Sequence, residues 1–276
     1  MSVDHYENFP VASVLCPSNL RPAVVAIYRF ARTADDLADE GPADAEHRLA
    51  DLALYRSDLQ AVCAGGEPSP RWRGVFAPLA VQLRRHGLPP PLLADLLDAF
   101  EQDVHNPVYG DRPALLDYCR RSANPVGRLL LHLYGVNDDV SLARSDAICS
   151  ALQLINFWQD LSVDGPRGRH YVPEADRIAH GVSTAQLATC QDTARTRALV
   201  GELCAWAEAL MLDGAPLALR VPGRAGWELR LVVQGGLRIL EKIAAMDHAT
   251  VRSRPTLSAA DAPRLLWRAW RMDARR

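Results

Sequence analysis

Four polar side chains lie at regular intervals along a stretch of the chain that is otherwise mostly apolar. They are Gln153, Asn156, Asp160 and Asp164, at steps of three, four and four residues. In a helix, at about 100° per residue, they share an arc of about 80°. Because residues 147–158 are apolar almost all round, we expect this helix to be buried on every side. Buried carboxylates are costly unless they are paired, and oxygen ligands without thiol or imidazole suit a hard cation.

A second polar stripe lies upstream, and it also ends in carboxylates. Tyr28, Arg32, Asp35, Asp36 and Asp39 fall within an arc of about 100° on a helix. If the two acidic stripes face each other across a cavity, their aspartates repel one another strongly at low dielectric. Mg²⁺ ions that bridge the aspartates to a diphosphate would turn this repulsion into a binding site. The predicted metal ligands are Asp35, Asp36, Asp39, Asn156, Asp160 and Asp164.

Composition narrows the classes of function. The 276 residues are 49% hydrophobic and 23% charged with a net charge of −2, so nothing favours binding to nucleic acid. The six cysteines are scattered without a CxxC pair, which argues against zinc and disulfides and favours a reducing cytoplasm. We expect no signal peptide and no membrane-spanning helix. The sequence leaves open whether the protein contacts the inner membrane peripherally.

Proline and glycine divide the chain into segments with helical periodicity. Ser18 is expected to cap the first helix, with Pro22 in its first turn, and Asn124-Pro125 is expected to break or kink a later one. The predicted helices span 18–38, 45–64, 75–86, 91–105, 113–123, 126–134, 140–163, 184–190, 195–212, 227–246 and 259–272. Since we find no strand alternation and no internal repeat, we expect an all-α protein with a single domain over residues 1–276.

Two long motifs carry the acidic stripes. The first reads Tyr28-x-Phe-x-Arg32-x-x-Asp35-Asp36-x-x-Asp39, and the second reads Gln153-x-x-Asn156-x-x-x-Asp160-x-x-x-Asp164-x-x-x-Gly168-Arg169-x-Tyr171-x-Pro173. Between them Tyr118 precedes a Val126-Gly127 pair, and Gly235-Gly236, Ile239-Leu240 and Arg254 follow. In this order the motifs resemble those of the squalene/phytoene synthase family, the trans-isoprenyl diphosphate synthases, over nearly the whole chain.

This resemblance implies an isoprenoid synthase fold, a single helical domain around a central apolar cavity, with Mg²⁺ between two facing aspartate motifs. The implied catalytic residues are Asp35, Asp39, Asp160, Asp164 and Tyr171. The implied contacts to substrate or diphosphate are Phe9, Tyr28, Arg32, Gln153, Asn156, Arg169 and Arg254. Arg32 suits a diphosphate clamp, and a helix salt bridge to Asp35 or Asp36 is the alternative. Tyr171 either packs beneath its loop or orients water or diphosphate.

Two segments resemble one branch of that family, the hydroxysqualene-forming branch of bacterial hopanoid biosynthesis. They read His5-Tyr-Glu-Asn8-Phe9-Pro-Val-Ala-Ser13 and Ser122-Ala-Asn124-Pro125-Val-Gly127. The Ser and Lys that typically precede the phenylalanine in phytoene and dehydrosqualene synthases are absent here. The implied reaction is ionisation of presqualene diphosphate, rearrangement of the cation and capture by water, which gives hydroxysqualene and diphosphate. We expect the reaction to need no NADPH. The sequence leaves open whether the enzyme is functionally coupled to sister enzymes of the squalene pathway.

Three alternative functions are compatible with some of the same residues. A sister enzyme of this family would condense two farnesyl diphosphates to presqualene diphosphate, or to phytoene. A non-catalytic relative would keep the fold as an assembly or interaction protein, although such a protein has no reason to keep costly buried aspartates. A carboxylate di-iron bundle would need Glu-x-x-His pairs on two helices, and the sequence has none.

Overall fold

The structure, a computed structural model, describes residues 16–40 and 43–272. Within these ranges the regular elements are helical and no strand occurs, which confirms the predicted all-α class. The helices are α1 Arg21–Asp39, α2 Ala45–Cys63, α3 Arg73–His86, α4 Pro90–Val104, α5 Arg112–Ser122, α6 Asn124–Leu133, α7 Asp139–Gln159, α8 Leu161–Asp164, α9 Glu174–Ala179, α10 Thr184–Ala188, α11 Ala194–Gly214, α12 Leu217–Arg220, α13 Gly223–Ala245 and α14 Ala262–Arg271, with a 3₁₀ turn Ala259–Asp261 before α14.

The start of α1 differs from the prediction. Ser18 does not cap the helix, because the N-cap residue is Leu20 and it makes no side-chain capping bond. The backbone amides of Leu20 and Arg21 both donate to the carbonyl of Pro17, at 3.0 Å, so residues 18–20 form a turn ahead of the helix. Pro22 does lie in the first helical turn, where its missing N–H costs no hydrogen bond.

The long helix predicted over 140–163 is interrupted at one residue. Helix α7 ends at Gln159, Asp160 adopts φ −99° and ψ 11°, and the short α8 resumes at Leu161. The hydrogen-bond path continues across the break, since the Asp160 amide donates to Asn156 O and the Asp164 amide donates to Asp160 O. The side chain of Gln159 donates to the carbonyl of Pro255 at 2.6 Å, which ties the break to a distant loop.

Helices α1 to α4 share one hydrophobic core. Phe30 stacks on Tyr55 with a centroid distance of 5.4 Å, and Tyr55 contacts Phe76 at 4.5 Å. The hydroxyl of Tyr55 donates to the carbonyl of Phe30 at 3.1 Å, so the buried phenol has a partner. This packing fixes the buried face of α1 and leaves its acidic face turned toward the rest of the molecule.

Helix α7 lies in a second core and packs against α5, α6, α11 and α13. Leu154, Ile155 and Trp158 are buried among these helices. The expectation of burial on every side was wrong for one face, because Gln153 and Asn156 are only partly covered and line a cavity. The polar stripe therefore lies on the face of α7 that is left open by its neighbours.

A close approach between α6 and α7 requires glycine at position 127. A Cβ at Gly127 would lie 2.4 Å from Ser145 Oγ and 2.5 Å from Cys149 Sγ, both on α7. A larger residue would force these two side chains to turn or the two helices to shift, and either would change the cavity wall that they share. This contact gives a physical reason for the Val126-Gly127 pair noted in the sequence.

Candidate active site

The two acidic stripes line one cavity of about 1000 Å³. At one end its wall is charged and polar, with Tyr28, Arg32, Asp35, Asp39, Asp103, Gln153, Asn156, Asp160, Asp164, Arg167, Arg169 and Arg254. Much of the remaining wall is aliphatic and comes from α1, α6, α7, α12 and α13, with Val24, Ile27, Leu130, Leu131, Ile148, Leu152, Leu217, Val221, Leu229 and Val232. The cavity thus pairs a polar head with a long apolar compartment, which is the shape of a diphosphate joined to a hydrocarbon.

The first stripe is built within a single helix. On α1 the guanidinium of Arg32 bonds to Asp35 at 2.9 Å and to Asp36 at 2.7 Å, one turn further along, and it also reaches Glu40 at 2.9 Å. Asp35 and Asp39 line the cavity, whereas Asp36 is not among the lining residues. In this structure Arg32 therefore forms the helix salt bridges that were the alternative to a diphosphate clamp.

The second stripe is built across the break after α7. Gln153 and Asn156 project from the last turns of α7, Asp160 is the break residue, and Asp164 ends α8. The guanidinium of Arg254, from the segment after α13, bonds to Asp160. The structure brings these four predicted residues together at the polar end, with the geometry of a broken helix rather than a continuous one.

Arg169 joins the two stripes. Its guanidinium bonds to Asp39 of the first stripe, and it lies 3.8 Å from Asp164 of the second. Gly168, with φ +73°, makes the left-handed turn that sends Arg169 back toward the cavity, and the Arg169 amide donates to Asp164 O at 3.0 Å. Because one cation contacts both motifs, the two stripes do face each other, as the sequence suggested.

Enclosure by the protein disfavours the charged forms of two of these carboxyls. Burial raises the pKa of Asp35 to about 6, with Arg32 opposing the shift and Asp39 adding to it. Although 41% of the Asp35 side chain is exposed, this residue lines the cavity, where its surroundings remain mostly protein. Burial likewise raises the pKa of Asp164 to about 6, with Arg169 opposing the shift and Asp160 adding to it.

Asp103, which sequence reasoning missed, lies at the same end of the cavity. Its carboxylate accepts a hydrogen bond from the Tyr118 hydroxyl at 2.8 Å, and burial raises its pKa to about 7 while Asp39 and Asp35 add to the shift. A signal was present, because Asp103 lies seven residues after Leu96 and so on the apolar face of α4. A lone carboxylate on an apolar face is a candidate site residue.

Aromatic rings line the boundary between the polar and apolar parts of the cavity. Tyr171 stacks on Phe157 with a centroid distance of 3.8 Å and an angle of 7°, and Tyr118 lies 6.2 Å from Tyr171. All three residues line the cavity. Burial holds the pKa values of Tyr118 and Tyr171 above the usual range, so both phenols stay protonated. Tyr171 therefore packs beneath its loop and also faces the cavity.

One predicted contact residue, Phe9, lies outside the described residues. Nowhere in the described ranges do three or more His, Cys, Asp or Glu side chains converge closely enough to hold a metal ion by themselves. None of the helices that the structure describes combines the length and apolar character needed to cross a bilayer.

The chain is similar to known proteins over nearly its whole length. Residues 3–270 match the family model for squalene/phytoene synthase. A hydroxysqualene synthase from Rhodopseudomonas palustris is 34% identical over 252 residues, which cover 89% of this chain and 82% of that protein. A presqualene diphosphate synthase of the same organism is 34% identical over 167 residues, covering 60% of this chain and 58% of that protein.

A solved structure extends the comparison to three dimensions. The crystal structure of squalene synthase HpnC from Alicyclobacillus acidocaldarius superposes with a TM-score of 0.81 at 36% identity, covering 90% of this chain and 91% of that one. The helical fold and its cavity thus define an isoprenoid synthase. The chain belongs to the squalene/phytoene synthase family, and it is an isoprenoid-utilising enzyme.

Proposed function

We propose that this enzyme ionises presqualene diphosphate and captures the rearranged cation with water, giving hydroxysqualene and diphosphate. The observation that carries the proposal is the cavity of about 1000 Å³, with two facing acidic motifs and four arginines at one end and an apolar compartment beyond them. The 34% identity to a hydroxysqualene synthase over most of both chains supports this reaction within the family.

The donor set at the polar end fits Mg²⁺. Asp35, Asp39, Asp160 and Asp164 with the Asn156 amide offer the hard oxygen ligands that this ion prefers. Burial raises the pKa values of Asp35 and Asp164 even though an arginine lies near each of them, and a bound cation would further favour their charged forms. Asp36 fits less well, since it is not a cavity-lining residue and pairs with Arg32. When bound, Mg²⁺ would stabilise negative charge on the departing diphosphate.

The arginines of the cavity would hold the diphosphate. Arg32, Arg169 and Arg254 each contact an aspartate of the two motifs in the ligand-free protein. With a diphosphate in the cavity, the same guanidinium groups could turn their N–H donors to phosphate oxygens, which they bind with good geometry. In this way the ion pairs of the free protein become the diphosphate contacts of the complex.

The apolar compartment would protect the carbocation. Its aliphatic walls exclude bulk water, so the cation survives long enough to rearrange. Phe157 and Tyr171 line this cavity as a stacked pair, and an aromatic ring can stabilise a positive charge that lies near it. The Asp103 carboxylate fixes the Tyr118 hydroxyl. Water then adds to the cation, and the released diphosphate accepts the proton that this water loses.

A different reaction of the same family is the second candidate. The similarity to presqualene diphosphate synthases supports condensation of two farnesyl diphosphates, although it covers only 60% of the chain. Purified protein with Mg²⁺ is to be given each diphosphate in turn, and the extracted products identified. We expect presqualene diphosphate to be consumed without NADPH, and reaction in ¹⁸O-labelled water to label the product hydroxyl. Formation of presqualene diphosphate or phytoene from farnesyl diphosphate alone would favour the condensation instead.

A further inference from the structure

The last described helix, α14, presents its apolar side chains to solvent. Leu266, Trp267 and Trp270 are 56%, 54% and 69% exposed. At about 100° per residue the three side chains share an arc of about 100°. A helix of a water-soluble protein normally turns such a stripe toward the core, so α14 has the opposite arrangement. Two adjacent exposed tryptophans on one helix mark an interaction surface.

Charged contacts hold α14 in this orientation. On the side that faces α13, Ala269 is fully buried, and the guanidinium groups of Arg264 and Arg268 bond to Glu241 of α13. At the start of the helix, Asp261 bonds to Arg238 at 2.8 Å and to Lys242 at 2.6 Å. Ion pairs rather than burial of the tryptophans therefore attach α14, and its apolar face stays available.

The surroundings of this face are positively charged. The residues Ala262–Arg271 include three arginines and no acidic residue. The cationic side chains around the two carboxylates of Glu241 and Asp261 are Arg238, Lys242, Arg264 and Arg268. Arg271 adds a further cation, with its guanidinium 5.0 Å from the centre of the Trp267 ring. The patch is thus locally cationic although the whole chain carries a net charge of −2.

We propose that α14 docks this enzyme onto an anionic lipid bilayer. A short amphipathic helix with tryptophan and leucine on one face and arginine beside them lies in the plane of a membrane interface. Trp267, Trp270 and Leu266 would enter the boundary between headgroups and acyl chains, and Arg271 would contact lipid phosphates. This inference does not depend on which isoprenoid reaction the enzyme catalyses.

A second copy of the chain is a poorer occupant of the same face. A stable protein interface buries about 800 Å² on each partner. Three side chains on a helix about 15 Å long offer less than this area, since each aromatic residue contributes at most about 250 Å² and is already partly covered. The clustered positive charges would also repel one another across a two-fold contact.

Co-sedimentation with vesicles tests the proposal. The full chain is mixed with vesicles of phosphatidylcholine alone, or of equal parts phosphatidylcholine and phosphatidylglycerol, at low and high salt. We expect binding to the anionic vesicles that weakens in high salt, and much weaker binding to phosphatidylcholine alone. Trp267→Ser combined with Trp270→Ser should lower the affinity for anionic vesicles at least about tenfold.

Matched variants keep the test specific. Leu54 and Ile178 are exposed to a similar extent, 56% and 63%, but they lie on α2 and α9. The combined Leu54→Ser and Ile178→Ser variant should bind anionic vesicles like the wild type, and thermal melting should show both double variants folded. Arg271→Glu should reduce the preference for anionic lipid while leaving the tryptophans in place.

Three results would overturn the proposal. The first is a wild-type protein that does not bind anionic vesicles. The second is a folded tryptophan double variant that binds them as well as the wild type. The third is light scattering that shows a wild-type dimer which the tryptophan substitutions dissociate, because α14 would then be a contact between two copies of the chain.

Discussion

The two acidic motifs face the same cavity but are held by different kinds of local structure. The first lies within the continuous helix α1, and Arg32 of the same helix pairs with Asp35 and Asp36 at spacings of three and four residues. The second spans the break between α7 and α8, and its cations come from outside that helix, from Arg169 and Arg254. In the first motif two of the three aspartates thus pair within their own helix, whereas in the second motif both cations come from segments elsewhere in the chain.

Arg169 is the residue through which the two motifs contact each other. It contacts Asp39 of the first motif and lies 3.8 Å from Asp164 of the second, so one side chain links the two motifs. Displacing Arg169 would let both sets of carboxylates turn to ligands in the cavity. The comparison predicts that substitutions in the two motifs share their effect on catalysis but differ in how they change the ligand-free protein.

The largest expected effect is the loss of a carboxylate from either motif. Asp35→Asn or Asp160→Asn should lower turnover by a factor on the order of 100 or more, because each carboxylate positions charge against the leaving diphosphate. The melting temperature of Asp35→Asn should hold or rise, since burial disfavours the charged form of this carboxyl. That of Asp160→Asn should fall, because the substitution removes the charge that pairs with Arg254. Asp98→Asn, on the exposed side of α4, serves as the control and should leave turnover unchanged. Near-normal turnover in a folded Asp35 or Asp160 variant would contradict the two-motif site.

The next largest effect on turnover is expected from substitution of Arg169, which contacts both motifs. Arg169→Gln should lower kcat by about 100-fold, because it removes a diphosphate donor and the contact between the stripes. Arg167→Gln removes the same charge from the same loop, but in the described part of the chain Arg167 has no ion pair with either motif. Steady-state kinetics of both variants would show whether the link between the motifs affects turnover. Equal losses of kcat would show that the positive charge of the loop, rather than the contacts of Arg169, causes the effect.

Binding of magnesium and diphosphate should be interdependent. In the ligand-free protein arginines already pair with several of the aspartates, and a diphosphate would offer oxygen ligands to the metal and negative charge to these arginines. We expect Mg²⁺ to raise the melting temperature much more in the presence of pyrophosphate than alone. The synergy should shrink in Asp160→Asn. Shifts that merely add would argue against a shared site.

The smallest expected effect is a change of stability with pH in the ligand-free protein. The pKa values of Asp35 and Asp164, about 6, and of Asp103, about 7, lie above the ordinary unfolded value of about 3.9. The folded state then binds more protons than the unfolded state between about pH 4 and pH 7, so the free energy of unfolding falls as pH rises through this range. Denaturant melts at several pH values measure it.

Substitution of one carboxyl isolates its share of this pH dependence. Asp103→Asn should flatten the part of the curve nearest pH 7, because Asp103 titrates last among the three. A slope that Asp103→Asn leaves unchanged would show that other groups cause it.

Much of the fold and of the site followed from the sequence. The periodicity of apolar and polar residues predicted most helices to within a few residues, and the stripes on α1 and α7 supplied most of the residues that line the polar end. Asp103 was not predicted, because a single carboxylate without a second polar residue at helical spacing forms no polar stripe. The exposure of the tryptophans of α14 was not predicted either, since a periodic pattern does not show which face of a helix contacts a neighbouring element.

The sequence by itself determined which residues share a helix face, because side-chain direction within a helix follows from spacing alone. It thus determined that Asp35 and Asp39 project together, and that Gln153 and Asn156 do. Tertiary packing decided the rest. It excluded Asp36 from the cavity wall. It also brought Arg169 between motifs that are more than a hundred residues apart, a contact that no local rule specifies because it depends on how α1 and α7 pack around the cavity.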